Sequence, residues 1–219
     1  MSETDSFIEE VTEEVRRDRL FAALRKYGWI GVVAVLLIVG GAGYKEYTRA
    51  QAQADAEATG DMLFAAVEKN DDAARVEALT ALDVPSQEAQ VVVDFLTAAH
   101  QLADGRKDEA AATLDGISTT DVETLEIYRQ IALLKSVVIQ GAALPLEERR
   151  VRLEALATPG APLALLAQEQ LALVDLESGD SEAALARLQG LVADANVTAG
   201  LRRRASQLIV ALGGEIEAS

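Results

Sequence analysis

Residues 27–44, YGWIGVVAVLLIVGGAGY, form an uninterrupted apolar stretch that contains no charged side chain. As an α-helix this stretch would be about 27 Å long, which is close to the thickness of the hydrocarbon core of a bilayer. Trp29 lies near its start, and Tyr27 and Tyr44 lie at its two ends, where aromatic rings prefer the headgroup layer. The stretch therefore predicts a single transmembrane helix near the N-terminus, placed at residues 27–46, with the lipid bilayer as its surroundings.

The charges that flank the apolar stretch predict its orientation. Two basic residues follow it closely, Lys45 and Arg49, whereas five precede it. Those five are Arg16, Arg17, Arg19, Arg25 and Lys26. Because loops rich in Lys and Arg stay in the cytoplasm, residues 1–26 are predicted to be a cytoplasmic charged helix and residues 47–219 an exported domain. Residues 1–26 are interpreted either as a solvated helix beside the membrane or as a docking helix.

Two other interpretations of the apolar stretch are open. The small residues at positions 40–43 resemble the end of a cleaved signal peptide. The long, acidic leading segment argues against that interpretation, since signal peptides begin with a short basic region. A buried core helix would also be apolar, but it would need uncharged neighbours around its whole circumference. An uncleaved anchor fits the sequence best.

Composition narrows the class of protein. The net charge is −16, of which −14 falls on the residues from Tyr47 onward. An acidic domain of this kind is repelled by nucleic acid and by anionic lipid headgroups, so we expect no nucleic-acid partner. The chain has no cysteine, so disulfide bonds do not contribute to its stability. The abundance of alanine and leucine favours closely packed helices.

An internal repeat organises the residues after the anchor. Residues 105–117, GRKDEAAATLDGI, align without a gap to residues 179–191, GDSEAALARLQGL, so that Gly105 matches Gly179. Turn residues recur at a nearly constant interval along the chain, at Asn70, Gly105, Gly141 and Gly179. This interval is about half of the sequence offset between the two aligned copies. Each is predicted to end a helix in a left-handed conformation, with a second helix following it. The alternative is an ordinary helical bundle in which the similarity is coincidental.

The repeat predicts an all-α fold in which a transmembrane helix is followed by a right-handed solenoid of degenerate tetratricopeptide-like helical hairpins. Helical hairpins cannot bury their apolar faces alone, so several of them stack into a continuous core. The predicted hairpin helices are 52–69 with 71–83, 86–104 with 106–116, 121–141 with 146–157, and 161–178 with 181–195. A last helix at 198–212 is expected to cap the domain, and Gly213 and Gly214 to end it.

This arrangement resembles the YfgM-like family of ancillary subunits of the bacterial Sec translocon. The resemblance covers the whole chain and is carried by residues 6–32, SFIEEVTEEVRRDRLFAALRKYGWIGV, and by the ADAEATGDMLFAAV stretch. It implies a single-pass protein of the bacterial inner membrane with a periplasmic repeat domain. It also implies binding to the SecYEG translocon and to a membrane-anchored periplasmic chaperone of the peptidyl-prolyl isomerase-like type. The implied role is the handover of exported polypeptides to periplasmic chaperones.

Candidate binding residues follow from the predicted hairpins. Phe64, Phe95 and Tyr128 lie on first helices, so they either contact partners or pack in the core. Arg202, Arg203 and Arg204 form a basic triplet on the last helix, which either contacts a partner or is solvated charge. An adaptor for envelope assembly or cell division would have the same architecture and is the alternative function.

The sequence contains little that suggests catalysis. His100 is the only histidine, and it is expected at the rim of a helix without a second catalytic group. No Gly-rich phosphate loop and no cluster of metal-ligating residue types can be identified. We therefore expect a protein that is not an enzyme and that has no metal or cofactor.

Overall fold

The computed structural model describes the backbone of residues 3–121 and 125–215. Side chains in this part are described from residue 25 onward, apart from those of residues 27, 28 and 32. The side chains of residues 1–24, in the predicted charged helix, therefore lie outside the described part. So do residues 122–124, near the start of the predicted helix 121–141. Within the described residues the regular structure is helical and contains no strand.

Nine α-helices occupy the described part of the chain, joined by short turns. They are α1 (Glu3–Val67), α2 (Asp72–Thr80), α3 (Gln87–Ala103), α4 (Lys107–Ser118), α5 (Glu126–Gln140), α6 (Leu146–Leu156), α7 (Ala164–Glu177), α8 (Ser181–Ala193) and α9 (Ala199–Ala211). A single turn of 3-10 helix, Gly141–Ala143, follows α5. The all-α prediction is confirmed. The predicted helix 52–69 is the continuous end of α1, and each later helix is present within a few residues of its expected ends.

The chain divides into two compact units, Met1–Ala58 and Thr59–Ser219. In the first unit, the apolar part of α1 has its side chains in the open: Leu36, Leu37 and Ile38 are 65–70% exposed. By length and composition α1 is the one helix in the described residues that could cross a membrane. Its exposure argues against the interpretation as a buried core helix, whereas a signal sequence has similar length and composition. The predicted boundaries at 26/27 and 46/47 stay predictions.

Side chains that cap helix starts explain where several helices of the second unit begin. Asp71 Oδ1 accepts a hydrogen bond of 2.8 Å from the Ala74 amide at the start of α2. Asp180 Oδ1 accepts one of 2.9 Å from the Ala183 amide at the start of α8. Ser86 and Thr198 cap α3 and α9 in the same way. Such caps satisfy amides that have no partner within the helix, and each stabilises its helix by about 1 kcal/mol.

The two aligned copies of the repeat have the same local structure. Gly105 and Gly179 have φ values of +81° and +85°, and each follows the end of a helix. The amides that follow them, those of Arg106 and Asp180, donate across the turn to the carbonyls of Gln101 and Asp175, at 2.8 and 2.9 Å. A glycine takes this left-handed conformation without the strain that a Cβ would cause. The turns that follow α3 and α7 therefore have the same local structure.

Buried residues occupy equivalent positions in the two hairpins as well. Ala110 and Ala184, which occupy matching positions in the two aligned copies, are both completely buried. The aliphatic pairs that follow them, Leu114 with Leu188 and Ile117 with Leu191, are also buried. Each hairpin thus buries one face of its second helix, as the sequence repeat predicts.

The conformations of the other two predicted turns differ. The prediction of a left-handed Asn70 is wrong, because no non-glycine residue among the described residues has a positive φ. The left-handed conformation costs a residue with a Cβ about 1–2 kcal/mol. The chain here begins α2 with Asp71, which caps the helix in an extended conformation. Gly141 has a φ of +50° and a ψ of −126°, so it ends α5 outside the left-handed helical region.

The core of the second unit consists of local clusters that follow the chain. One cluster joins the end of α1 to α2 and α3, a second joins α3, α4 and α5, a third joins α5, α6 and α7, and a fourth joins α7, α8 and α9. From α2 to α9, each helix therefore packs mainly against its neighbours in sequence. Stability that arises from such neighbouring contacts responds locally to a substitution.

Candidate functional site

Two of the three predicted aromatic residues lie together. The rings of Phe95 on α3 and Tyr128 on α5 have centroids 6.4 Å apart and planes inclined by 57°, a tilted arrangement that aromatic pairs favour. Phe95 is half-buried and packs against the cluster formed by α3, α4 and α5, whereas Tyr128 is 44% exposed. Phe64, near the end of α1, is 69% exposed, and no ring contact is found for it among the described residues.

The aromatic pair belongs to two mostly apolar strips with the same spacing. On α3 the strip contains Val92, Phe95, Ala99 and Leu102, and on α5 it contains Tyr128, Ile131, Lys135 and Val138. Positions i, i+3, i+7 and i+10 share one face of an α-helix. We call these eight residues the aromatic surface.

Most members of the aromatic surface are open to solvent. Val92, Leu102, Tyr128 and Val138 are exposed, Val138 by 52%. Other faces of the same helices supply the core, with Val91 and Ala98 of α3 and Ala132 and Val137 of α5 buried. The core of these helices is therefore formed without the exposed apolar side chains, and exposed apolar groups of this kind, joined here by the Phe95–Tyr128 pair, are typical of interaction sites.

A groove of about 900 Å³ lies between α7 and α8 and was missed by the sequence analysis. Small residues of α8, namely Ala183, Ala186 and Gly190, line one wall, and the loop before α7 lines another. That loop turns at Gly160, which has a φ of +83°. The spacing of the small residues, i, i+3 and i+7, was the signal available in the sequence.

The basic triplet on α9 does not form one patch. Arg204 makes a two-pronged ion pair with the buried Glu169 of α7, with both nitrogen–oxygen distances at 2.7 Å. Arg202 Nη2 lies 3.5 Å from the carbonyl oxygen of Asp194, and Arg203 is exposed beside Val210. Consecutive residues on a helix point about 100° apart, so a run of three basic residues spreads over different faces. Arg204 contributes to the fold, and only its neighbours are open to a partner.

A buried carboxylate that the sequence analysis did not identify joins α6, α7 and α8. Asp175 of α7 has a side chain that is only 3% exposed, and it accepts hydrogen bonds from Arg150 Nη1 at 2.6 Å and from Arg187 Nε at 2.9 Å. Burial alone would raise the pKa of Asp175, but the hydrogen bonds from Arg150 and Arg187 hold that pKa below its usual value. Arg187 also donates to Gln168, at 2.6 Å. The carboxylate is thus charged and fully partnered within the fold.

The equivalent position in the other hairpin carries a neutral version of the same bridge. Thr113 corresponds to Arg187 in the alignment of the two copies, and extending the same offset backward pairs Gln101 with Asp175. Thr113 Oγ1 donates to Gln101 Oε1 at 2.9 Å, just as Arg187 donates to Asp175. The polar bridge between the two helices of a hairpin is therefore part of the repeat, although the residue types differ.

Two further arginines of α6 pair with neighbouring helices. Arg149 is buried and forms a two-pronged pair with Glu177 of α7, and this hydrogen bonding raises the pKa of Arg149. Arg152 Nη1 lies 3.0 Å from Asp115 Oδ1 of α4. Asp115 also accepts a hydrogen bond from Ser136 of α5, at 2.6 Å. These arginines cross-link α6 to the helices around it.

The single histidine has a partner that the sequence analysis did not anticipate. His100 Nδ1 lies 2.8 Å from Asp72 Oδ1 at the start of α2, and the Arg75 guanidinium reaches the same oxygen at 2.9 Å. The hydrogen bond from His100 is the main cause that lowers the pKa of Asp72, followed by the one from Arg75. Both side chains face one carboxylate, so the arrangement cross-links α2 and α3.

Within the residues that the structure describes, no group of three or more His, Cys, Asp or Glu side chains is placed to hold a metal ion. No family model matches the chain, and comparison with curated proteins and with solved structures found no match. What the described residues offer chemically is apolar contact area on α3 and α5 together with a groove lined by small residues on α8.

Proposed function

We propose that this protein is a membrane-anchored interaction scaffold whose helical domain binds other polypeptides. The observation that carries the proposal is the aromatic surface, which exposes Tyr128 and Val138 on helices whose other faces already form a core. A few residues supply most of the binding energy at protein interfaces, and tyrosine is one of the types enriched among them. The exposed apolar part of α1 supports an anchor in the same chain.

The proposal includes the finer architecture expected from the repeat. We propose that the hairpins are degenerate tetratricopeptide-like units and that they stack as a right-handed solenoid. The equivalence of α3–α4 with α7–α8 supports this, as do the core clusters that join each helix to its neighbours in sequence. Such stacking presents the first helices of successive hairpins on one side, where they can bind an extended partner.

The resemblance to the YfgM-like family supplies the proposed partners. These are the SecYEG translocon, a membrane-anchored periplasmic chaperone of the peptidyl-prolyl isomerase-like type, and the exported polypeptides that pass between them. The proposed location is the bacterial inner membrane, with the N-terminus in the cytoplasm and the helical domain in the periplasm. No residue among those described suggests a catalytic role, and we propose that the protein acts by binding.

Photo-crosslinking in intact cells tests the proposed partners. A photoreactive phenylalanine analogue at Tyr128 samples the aromatic surface, and the same analogue at Ala112, an exposed position on α4, is the matched control. We expect translocon subunits or a periplasmic chaperone among the products from position 128 only. Products that are the same at both positions, or that include neither class of protein, would refute the proposal. Recovery of septal or envelope-assembly proteins instead would favour the adaptor function.

The absence of cysteine allows a clean test of topology. A single cysteine introduced at Ser6 or at Ala112 is the only thiol in the chain. We expect a membrane-impermeant maleimide applied to spheroplasts to label the cysteine at 112, and to label the cysteine at 6 only after lysis. Equal labelling of the two positions before lysis would contradict the proposed orientation, and a mature chain that lacks residue 6 would show a cleaved signal sequence.

A further inference from the structure

The aromatic surface contains one charge, and among the described residues that charge has no ion-pair partner. Lys135 stands between Ile131 and Val138 on the strip of α5, and it is exposed. Among the described residues no carboxylate lies within ion-pair distance of its ammonium group. By contrast, two arginines of the same region, Arg129 of α5 and Arg152 of α6, each pair with a glutamate close by.

Lys135 is a cation on a domain that is acidic as a whole. The residues from Tyr47 onward carry a net charge of −14, and Lys135 is the one charged member of the two strips. The acidic surroundings repel an acidic partner at long range, but this repulsion is screened beyond about 8 Å at physiological ionic strength. A partner carboxylate is therefore favoured only where it can approach Lys135 closely, which provides specificity more than speed of association.

The geometry of the strips specifies the spacing that a partner needs. Tyr128 and Lys135 lie two helical turns apart on α5, which corresponds to about 10.5 Å along a helix. An amphipathic helix presents apolar anchors at i, i+3, i+4 and i+7, and it uses this pattern when it binds a groove between other helices. A helical partner with an apolar anchor over the Phe95–Tyr128 pair would place its residue seven positions away opposite Lys135.

We infer that the aromatic surface binds an amphipathic helical segment of another polypeptide that carries a carboxylate seven residues from an aromatic or aliphatic anchor. The anchor contacts Tyr128 and Phe95, further apolar side chains contact Val92 and Val138, and the carboxylate pairs with Lys135. The inference rests on the proposed function as a scaffold and specifies the chemistry of the segment that the scaffold recognises.

Binding of designed peptides to the full chain in phosphatidylcholine nanodiscs tests this inference. The first probe is a fluorescein-labelled amphipathic helix of five turns with Phe at position 4 and Glu at position 11. The second probe has Lys in place of that Glu, and the third has the Glu moved to the polar face without a change in composition. Fluorescence anisotropy gives the affinities, and empty nanodiscs correct for binding to lipid.

We expect the first probe to bind about 3- to 10-fold more tightly than the second and third. The first probe forms a partly exposed ion pair with Lys135, whereas the second places a like charge there and the third lacks the pair. Lys135→Glu should reverse the preference between the first two probes. The matched control is Lys107→Glu, which changes the net charge equally at an exposed position at the start of α4 and should leave the preference unchanged. Tyr128→Ala should weaken all three probes by about 5-fold or more.

Three results would overturn the inference. One is the absence of saturable binding of any probe, and another is an affinity that does not depend on the sign of the charge at position 11. The third is a change in the monomer–dimer equilibrium of the chain on Lys135→Glu without peptide binding, since a second copy would then be the occupant. If crosslinks to envelope proteins at position 128 persist in any of these cases, only the inference about the segment falls and the scaffold proposal stands.

Discussion

Substitution of Asp175 by Asn tests the claim that a buried carboxylate bridges three helices. The change keeps the shape of the side chain and removes its charge, so both arginine partners lose a charged acceptor. One amide oxygen remains and can accept one of the two hydrogen bonds, those from Arg150 at 2.6 Å and from Arg187 at 2.9 Å. The reduced set of contacts is expected to lower the free energy of unfolding of this region.

The size of this effect follows from burial and from the type of hydrogen bond. A hydrogen bond to a charged group contributes about 1.5–3 kcal/mol, and breaking a fully buried ion pair costs about 3–5 kcal/mol. Arg150 and Arg187 have side chains that are about a quarter exposed, so water partly replaces the lost partner. We therefore expect Asp175→Asn to destabilise the domain by about 2–3 kcal/mol.

The pH dependence of this effect has a defined sign. The pKa of Asp175 is lower in the folded state than its ordinary value of 3.8, so the ionised carboxylate stabilises the fold. That contribution is fully present above the pKa of the unfolded chain, about 3.9, and is lost as the pH falls through the folded pKa. The difference in stability between the natural chain and Asp175→Asn should accordingly be full at pH 7 and should shrink below about pH 4.

Hydrogen exchange with mass spectrometry is the appropriate assay, because it reports stability helix by helix. Since each helix packs against its neighbours in sequence, exchange should accelerate mainly in α6, α7 and α8. The matched control is Asp83→Asn, which removes the same charge from an exposed loop residue and should change stability by less than about 0.5 kcal/mol. Equal effects of the two substitutions, or an acceleration spread evenly from α2 to α9, would refute the reasoning.

Three other tests address separate parts of the structure. Gly179→Ala should destabilise the α7–α8 hairpin by about 1 kcal/mol, because the φ of +85° at this position strains a residue with a Cβ. Gly190→Ala should stabilise the same hairpin by about 0.5–1 kcal/mol, because Gly190 lies within α8 and has open space around it. Urea unfolding measures both changes. Glu169→Gln should lower stability by about 1–2 kcal/mol, because the buried carboxylate loses its charge opposite the half-exposed Arg204. Arg203→Ala should change stability by less than about 0.5 kcal/mol in the same assay. Leu36→Arg should cost about 3–4 kcal/mol of membrane insertion, so carbonate extraction should release the chain; retention in the pellet would contradict the anchor.

Helix positions were predictable from the sequence because local signals determine them. Alanine and leucine favour helix throughout the domain, and Gly105 and Gly179 end helices by a backbone conformation that other residues avoid. The ungapped match between the two copies also pairs Ala110 with Ala184, and both are buried. Asn70 shows the limit of the turn argument, because the N-cap Asp71 competes with it and determines where α2 begins.

The candidate site was predictable only in part. Phe95 and Tyr128 were identified from their helices, but their contact depends on how α3 and α5 pack on α4, which no local signal in the sequence encodes. The ion pairs were missed for the same reason, since Arg149 and Glu177, like Arg152 and Asp115, lie on different helices and far apart in the chain. Long side chains reach across helices in ways that the spacing of a repeat does not specify.

The use of cations within the domain bears on how it selects partners. Eight arginines of the described residues pair with carboxylates of the fold: Arg75, Arg106, Arg129, Arg149, Arg150, Arg152, Arg187 and Arg204. Because these arginines form ion pairs within the fold, carboxylates without a cationic neighbour determine most of the surface charge that a partner encounters. Recognition by long-range attraction would then favour any basic polypeptide, whereas the aromatic surface joins apolar contact to the cation Lys135. A scaffold built in this way distinguishes its partners by the fit of short-range contacts, which is why the sign of one charge on a probe peptide is a decisive test.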